Sequence, residues 1–116
     1  MRKFSRDEFQ HIALQNPLME IIALTVAEVC GVTVEEMKSK SKPHHVVAAR
    51  MIYAELCRRI VFPQYYIPFY LNRHDSVLSY WYETFNNLYD TDIAFAMLAD
   101  KAKEAFNNKL NTLRNV

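Results

Sequence analysis

Glycine is almost missing from this chain: Gly31 is the single one in 116 residues. The phosphate-cradling loops GxGxxG and GxxxxGK[ST] each need more, so nucleotide binding by either is excluded. Beta-rich folds also draw on glycine for their turns. With 51% of the residues apolar, the scarcity points to an all-α domain. No apolar run is long enough to cross a bilayer, and the opening MRKFSRDEFQ lacks the apolar stretch of a secretory signal. A cytoplasmic protein with no membrane association is expected. The two cysteines, Cys30 and Cys57, form neither a CxxC motif nor a zinc ligand set, and both sit among apolar residues as free thiols. His44 and His45 are adjacent, so on a helix they point about 100° apart, whereas zinc pairs are spaced three or four apart. A nucleophile elbow and a hydrolase triad are both lacking. The expectation is a protein that is not an enzyme and needs no metal, nucleotide or other cofactor.

A second shortage is local. The stretch KSKSKPHHVVAAR, Lys38 to Arg50, contains no carboxylate. Residues 38–74 carry seven Lys and Arg against one acid, while the whole chain has a formal net charge of +1. The flanking segments are acidic: three bases against six acids over 1–37, and four against six over 75–116. A concentrated basic middle suits a polyanionic partner, most simply nucleic acid. A solvated basic face is the alternative.

Helix signals divide the chain into residues 1–15, an arm or short helix, and one helical domain over 16–116. Asn16 and Pro17 have the types favoured at N-cap and N1 of a helix that ends before Gly31. Thr33 and Glu36 have capping-box spacing for a short second helix. Pro43 fits N1 of a third helix, PHHVVAARMIYAELCRRI, in which Val46, Val47, Arg50, Met51, Ala54 and Cys57 share one side. Pro63 and Pro68 bound or bend a short segment. A further helix follows, with Asn72 or Asp75 as cap and Val77, Leu78, Trp81 and Phe85 at core spacing. The last helix starts after Thr91, with Ile93, Ala96, Met97, Ala102 and Phe106 as its loosely periodic apolar set. Five or six helices result, with a helix-turn-helix at about 63–89. Tyr65, Tyr66, Tyr70, Tyr80 and Tyr82 suit base stacking, although packing is the commoner use of such rings.

The segments GVTVEEMKSKSK, HHVVAARMIYAEL and NRHDSVLSYW, in that order, resemble the C-terminal DNA-binding domain of the bacterial replication initiator DnaA. That family shows GVTVEDLLSKSRKREVVRARQIAMYL followed by GRDHTTVLHA. The likeness is gapless from Gly31 to about Leu56, and is carried later by H-x-S-V-L. It implies an all-α bundle of five or six helices, related to the Trp repressor, that carries a helix-turn-helix and binds short duplex boxes. The family's minor-groove arginine falls at Lys42, the next basic loop position at His44, and the helix arginine at Arg50. The glutamine after that arginine is Met51 here. With the VL pair aligned, the recognition signature Asp-His-Thr-Thr falls on Arg73, His74, Asp75 and Ser76. A second register, with one deletion, is open. These departures mean that the family's box specificity is not carried over, and its ATPase domain is not in this sequence.

The resulting expectation is a duplex-DNA-binding module serving replication or its regulation. Arg73, His74, Asp75, Ser76 and Ser79 would stand near base edges in the major groove, with the Arg73 fork on a guanine. Lys38, Lys40, Lys42 and His44 would face the minor groove or phosphates, and Arg50, Arg58 and Arg59 the DNA backbone. A helical scaffold that binds a replication protein is the competing expectation.

Overall fold

The computed structural model describes residues 6–114, with side chains over 17–114. Six helices are present among the described residues: α1 Arg6–Cys30, α2 Val34–Lys38, α3 His44–Cys57, α4 Tyr66–Tyr70, α5 Val77–Thr91 and α6 Ile93–Arg114. The all-α expectation is met. The helix expected to begin at Asn16 and Pro17 instead begins at Arg6 and continues through Pro17. The missing proline N–H costs one intrahelical bond, and tertiary packing further along α1 outweighs it. Residues 1–5 of the expected arm lie outside the described residues.

α3 is the axis of the domain. Val46, Ala48 to Ala54 and Cys57 are all buried along it, because α1, α2, α4, α5 and α6 each pack on it. A helix covered on most sides needs apolar residues almost all round rather than along one stripe. Each large side chain buried there, such as Met51 or Ile52, contributes about 1.5–3 kcal/mol relative to exposure. The Tyr53 hydroxyl, also enclosed, donates to the Ile67 carbonyl at 2.9 Å and ties α3 to α4. Burial pushes the Tyr53 phenol and the Cys57 thiol well up from their ordinary ranges. Cys57 is a fully buried free thiol and Cys30 a half-buried one.

The helix ends follow local chemistry. Gly31 has φ +70°, the conformation expected of a C′ residue. The Val32 N–H closes onto the Ala27 carbonyl at 2.9 Å, completing a Schellman end. The Thr33–Glu36 capping box is present in both directions, each bond 3.0 Å long. Pro43 stands one position earlier than expected, as the N-cap of α3, with its carbonyl accepting from Val46 and Val47.

Asn72 does not cap α5. It occupies the left-handed region at φ 60° and ends α4 as a second Schellman motif, with Arg73 N–H on the Pro68 carbonyl at 2.9 Å. α5 starts from Ser76, which makes no side-chain cap. Asp92 alone separates α5 from α6 and caps the latter, its carboxylate accepting from Phe95 N–H at 3.1 Å. The buried stripe of α6 is Phe95, Ala99, Ala102 and Phe106. Ile93 and Met97, of the loosely periodic apolar set, are 80% and 67% exposed. No helix among the described residues is long and apolar enough to cross a membrane.

Candidate nucleic-acid interface

The acid-free stretch begins where α2 stops. A helix C-terminus leaves carbonyls without intrahelical donors, and a five-residue helix consists mostly of ends. Two arginines from elsewhere supply donors. From α3, Arg50 Nε donates to the Met37 carbonyl at 2.9 Å. Its Nη2 donates to the carbonyls of Glu36 at 3.0 Å and Ser39 at 2.9 Å. From the turn before α5, Arg73 Nη1 donates to the Lys38 and Leu71 carbonyls, both at 3.1 Å. Its Nη2 donates to the Ser39 carbonyl as well. One peptide oxygen, that of Ser39, thus accepts from two guanidinium groups. Ser39 adds its own bonds: its hydroxyl donates to the Glu36 carbonyl and accepts from Ser41 N–H.

This arrangement corrects two expected roles. Arg50 is 6% exposed, and its donors are turned inward onto main chain rather than toward a phosphate. Burial, and then the charge of Arg73, lowers its pKa from the ordinary arginine value. Arg73, expected to read a guanine, has its fork occupied by the carbonyls of Lys38, Ser39 and Leu71. Both arginines are positioning residues. They fasten the basic stretch to the middle of the domain and to the residue that precedes His74.

The remaining expected residues divide by exposure. Lys40, Lys42 and His44 are exposed and make no ion pair among the described residues, and neighbouring His45 is exposed too. Lys38 is half-buried, with its ammonium 4.6 Å from the centre of the Tyr70 ring. Arg58 stacks 4.4 Å over the Tyr82 ring and lies 3.7 Å from Glu55, so its charge is already engaged. Arg59 is exposed. Both sit at the far end of α3 from His44, about 20 Å away at 1.5 Å per residue.

At the start of α5, His74 and Ser76 are exposed and Asp75 is half-buried. His74 Nδ1 accepts from Ser76 N–H at 3.1 Å and lies 2.9 Å from Asp75 Oδ1. With its proton on Nε2 the ring takes the Ser76 N–H and presents Nε2–H outward. With both nitrogens protonated, Nδ1–H turns to Asp75 instead.

Ser76, Ser79, Tyr80 and Glu83 form the exposed stripe of the first turns of α5, by their spacing of three and four. Tyr80 is 60% exposed, unlike the rest of the tyrosine set. Those others pack: Tyr66 is buried with Tyr65 edge-on at 5.0 Å, Tyr70 lies against Tyr53, and Tyr82 bonds Gln64. The signal that separates Tyr80 is its helical position. It stands one turn after Ser76, on the side of α5 opposite the buried stripe of Leu78, Trp81 and Phe85.

Among the described residues no group of three or more His, Cys, Asp and Glu side chains is placed to hold a metal ion. The surface so assembled is a row of exposed cations and imidazoles, fastened beside the exposed stripe of a helix. It can offer ammonium groups to anions and hydroxyl, phenol and imidazole groups to polar edges. No protein-family model, curated protein or solved structure matches the chain.

Proposed function

We propose that the chain is a duplex-DNA-binding module. α4, the turn over 71–76 and α5 serve as its helix-turn-helix, and α5 is the recognition helix. His74, Ser76, Ser79 and Tyr80 face base edges in the major groove, where hydroxyl and imidazole groups bond bases and an apolar ring surface meets a thymine methyl. Lys40, Lys42 and His44 meet phosphates or the adjacent minor groove, with Lys38 behind them and Arg59 on a more distant phosphate. Replication or its regulation is the process suggested by the DnaA-like segments.

The observation that supports this reading is the pair of hydrogen bonds that Arg50 and Arg73 donate to the Ser39 carbonyl. It joins an acid-free loop to the N-terminal end of a solvent-facing helix, and it leaves the lysines outward. A solvated charge run has no need of such fastening.

A salt titration of duplex binding tests the reading. Three or four phosphate contacts give log affinity against log salt a slope of about −3 to −4. A flat titration, or no binding at low salt, excludes it.

A further inference from the structure

A groove of about 410 Å³ lies where α3, α5 and α6 meet, away from the basic loop. Its floor is apolar: Ile52 and Leu56 from α3, Phe85 from α5 and Ala99 from α6. Its rim carries three carboxylates, Glu55, Asp90 and Asp100, against the single ammonium of Lys103. The Glu55 Oε2 atom is buried and accepts no hydrogen bond. Its nearest cation, Arg58, is 3.7 Å away and turned onto Tyr82. Asp100 accepts one bond, from the Tyr89 hydroxyl at 2.7 Å, and a carboxylate has room for about four.

The apolar surface does not stop at the groove. Ile93 and Met97 stand one turn apart on α6, in line with Asp100 by their spacing of four and three. They are the two most exposed large apolar residues of that helix. Isolated exposed apolar residues are ordinary. Here Met97 stands one turn before Asp100, a residue of the groove lining, and Tyr89 of the same lining is 41% exposed, so exposed apolar side chains flank an apolar floor, a combination found at contact sites.

We infer that this groove docks a basic amphipathic segment of a partner protein. Apolar side chains of the segment enter over Phe85 and Leu56 and lie along Met97 and Ile93. Its lysine or arginine side chains reach Glu55, Asp90 and Asp100. Charge complementarity selects the occupant. An acidic segment would set like charges against the rim, and a neutral one would leave its carboxylates without a counter-charge, which discriminates between partners. A second copy of this chain would bring a surface of the same sign through this face. The site is separate from the DNA-facing edge, so both can be occupied together.

Panning a random-peptide library against the full chain tests the inference, with Asp90→Lys and Met97→Asn as comparison variants. Both residues are exposed, and unchanged circular dichroism confirms that the variants fold. The expected outcome is enrichment of peptides that carry Lys or Arg within a turn of two apolar residues. Their affinity should fall about tenfold or more in each variant. Amide shifts on binding should map to Phe85, Tyr89 and Met97, while duplex binding and its salt slope stay unchanged. Enrichment of acidic or neutral peptides, undiminished binding to either variant, or no enrichment at all overturns the inference. Concentration-dependent self-association that Met97→Asn abolishes also overturns it, by assigning the face to a second copy.

Discussion

The two ends of α3 present opposite chemistry. At the N-terminal end, loop carbonyls engage buried Arg50 and half-buried Arg73, and Lys40, Lys42 and His44 are exposed with no ion pair among the described residues. At the C-terminal end, arginine is outside, stacked on Tyr82, and a buried carboxylate oxygen lacks a donor. One helix therefore separates a surface suited to anions from one suited to cations. The near-neutral total charge hides this, because net charge reports neither position nor which groups are already satisfied.

The strongest way to break this comparison is at Arg50. Arg50→Met leaves the Glu36, Met37 and Ser39 carbonyls without that donor in a buried setting, and stability should fall by about 3 kcal/mol in urea unfolding. Arg50→Lys should recover part of it, since an ammonium has donors but not the planar fork that reaches three carbonyls at once. A loss below about 0.5 kcal/mol for Arg50→Met would show that the fastening is dispensable.

Arg73→Ala comes next. Duplex affinity should drop about tenfold, close to 1.4 kcal/mol, with a measurable loss of stability and no change in preferred bases. Tyr80→Ala should instead relax preference at one position while leaving stability near the parent's. If the two behave the other way round, Arg73 leaves its carbonyls and reads a base in the complex.

Smaller still is Lys42→Ala. It should leave folding within about 0.5 kcal/mol of the parent and reduce the salt slope by about 1. Asp90→Lys, on α5 in the groove beside the C-terminal half of α3, should leave that slope unchanged, which sharpens the separation between the two surfaces.

The smallest effect concerns the thiols. Burial pushes the Cys30 thiol up to about 11 and the Cys57 thiol further. Thiolate is the reactive form, so at about pH 8 Cys30 should label slowly and Cys57 only on unfolding. The fold holds the neutral thiol, whose pKa is raised above the unfolded value, so unfolding releases protons once pH exceeds about 9. The folded state then binds more protons than the unfolded one, and stability should fall as pH rises from about 9 toward 11, seen as a lowered urea midpoint.

Much of the architecture was legible from local signals. Gly31, the Thr33–Glu36 box and the turn after Pro43 mark helix ends through contacts within a few residues, and such contacts are visible in sequence. Pro17 misled because a helix-starting residue was read without the packing that carries α1 through it. Asn72 misled for a related reason: an asparagine that suits an N-cap also tolerates positive φ, and only the geometry of α4 decides which use is made. α6 has apolar residues on two sides, and periodicity alone does not say which side meets the core.

The site was legible in a different way. The absence of acids marks the loop lysines in sequence; Lys40 and Lys42 stand outward, while Lys38 is half-buried over the Tyr70 ring. The arginines were not separable from them in sequence, since a guanidinium that serves main-chain carbonyls thirteen or thirty-four residues away looks the same as one that serves a phosphate. The acidic groove has no sequence signature, because its carboxylates come from three helices and form no run.

In the proposed complex the Ser39 carbonyl also bears on the speed of recognition. A loop that must be ordered on contact loses conformational entropy at that moment, at roughly 1–2 kcal/mol per residue. Here the two arginines order the backbone at Ser39 during folding. An anion arriving at Lys40 and Lys42 meets a backbone already held at its base, so encounter is governed by diffusion and charge rather than by a folding step.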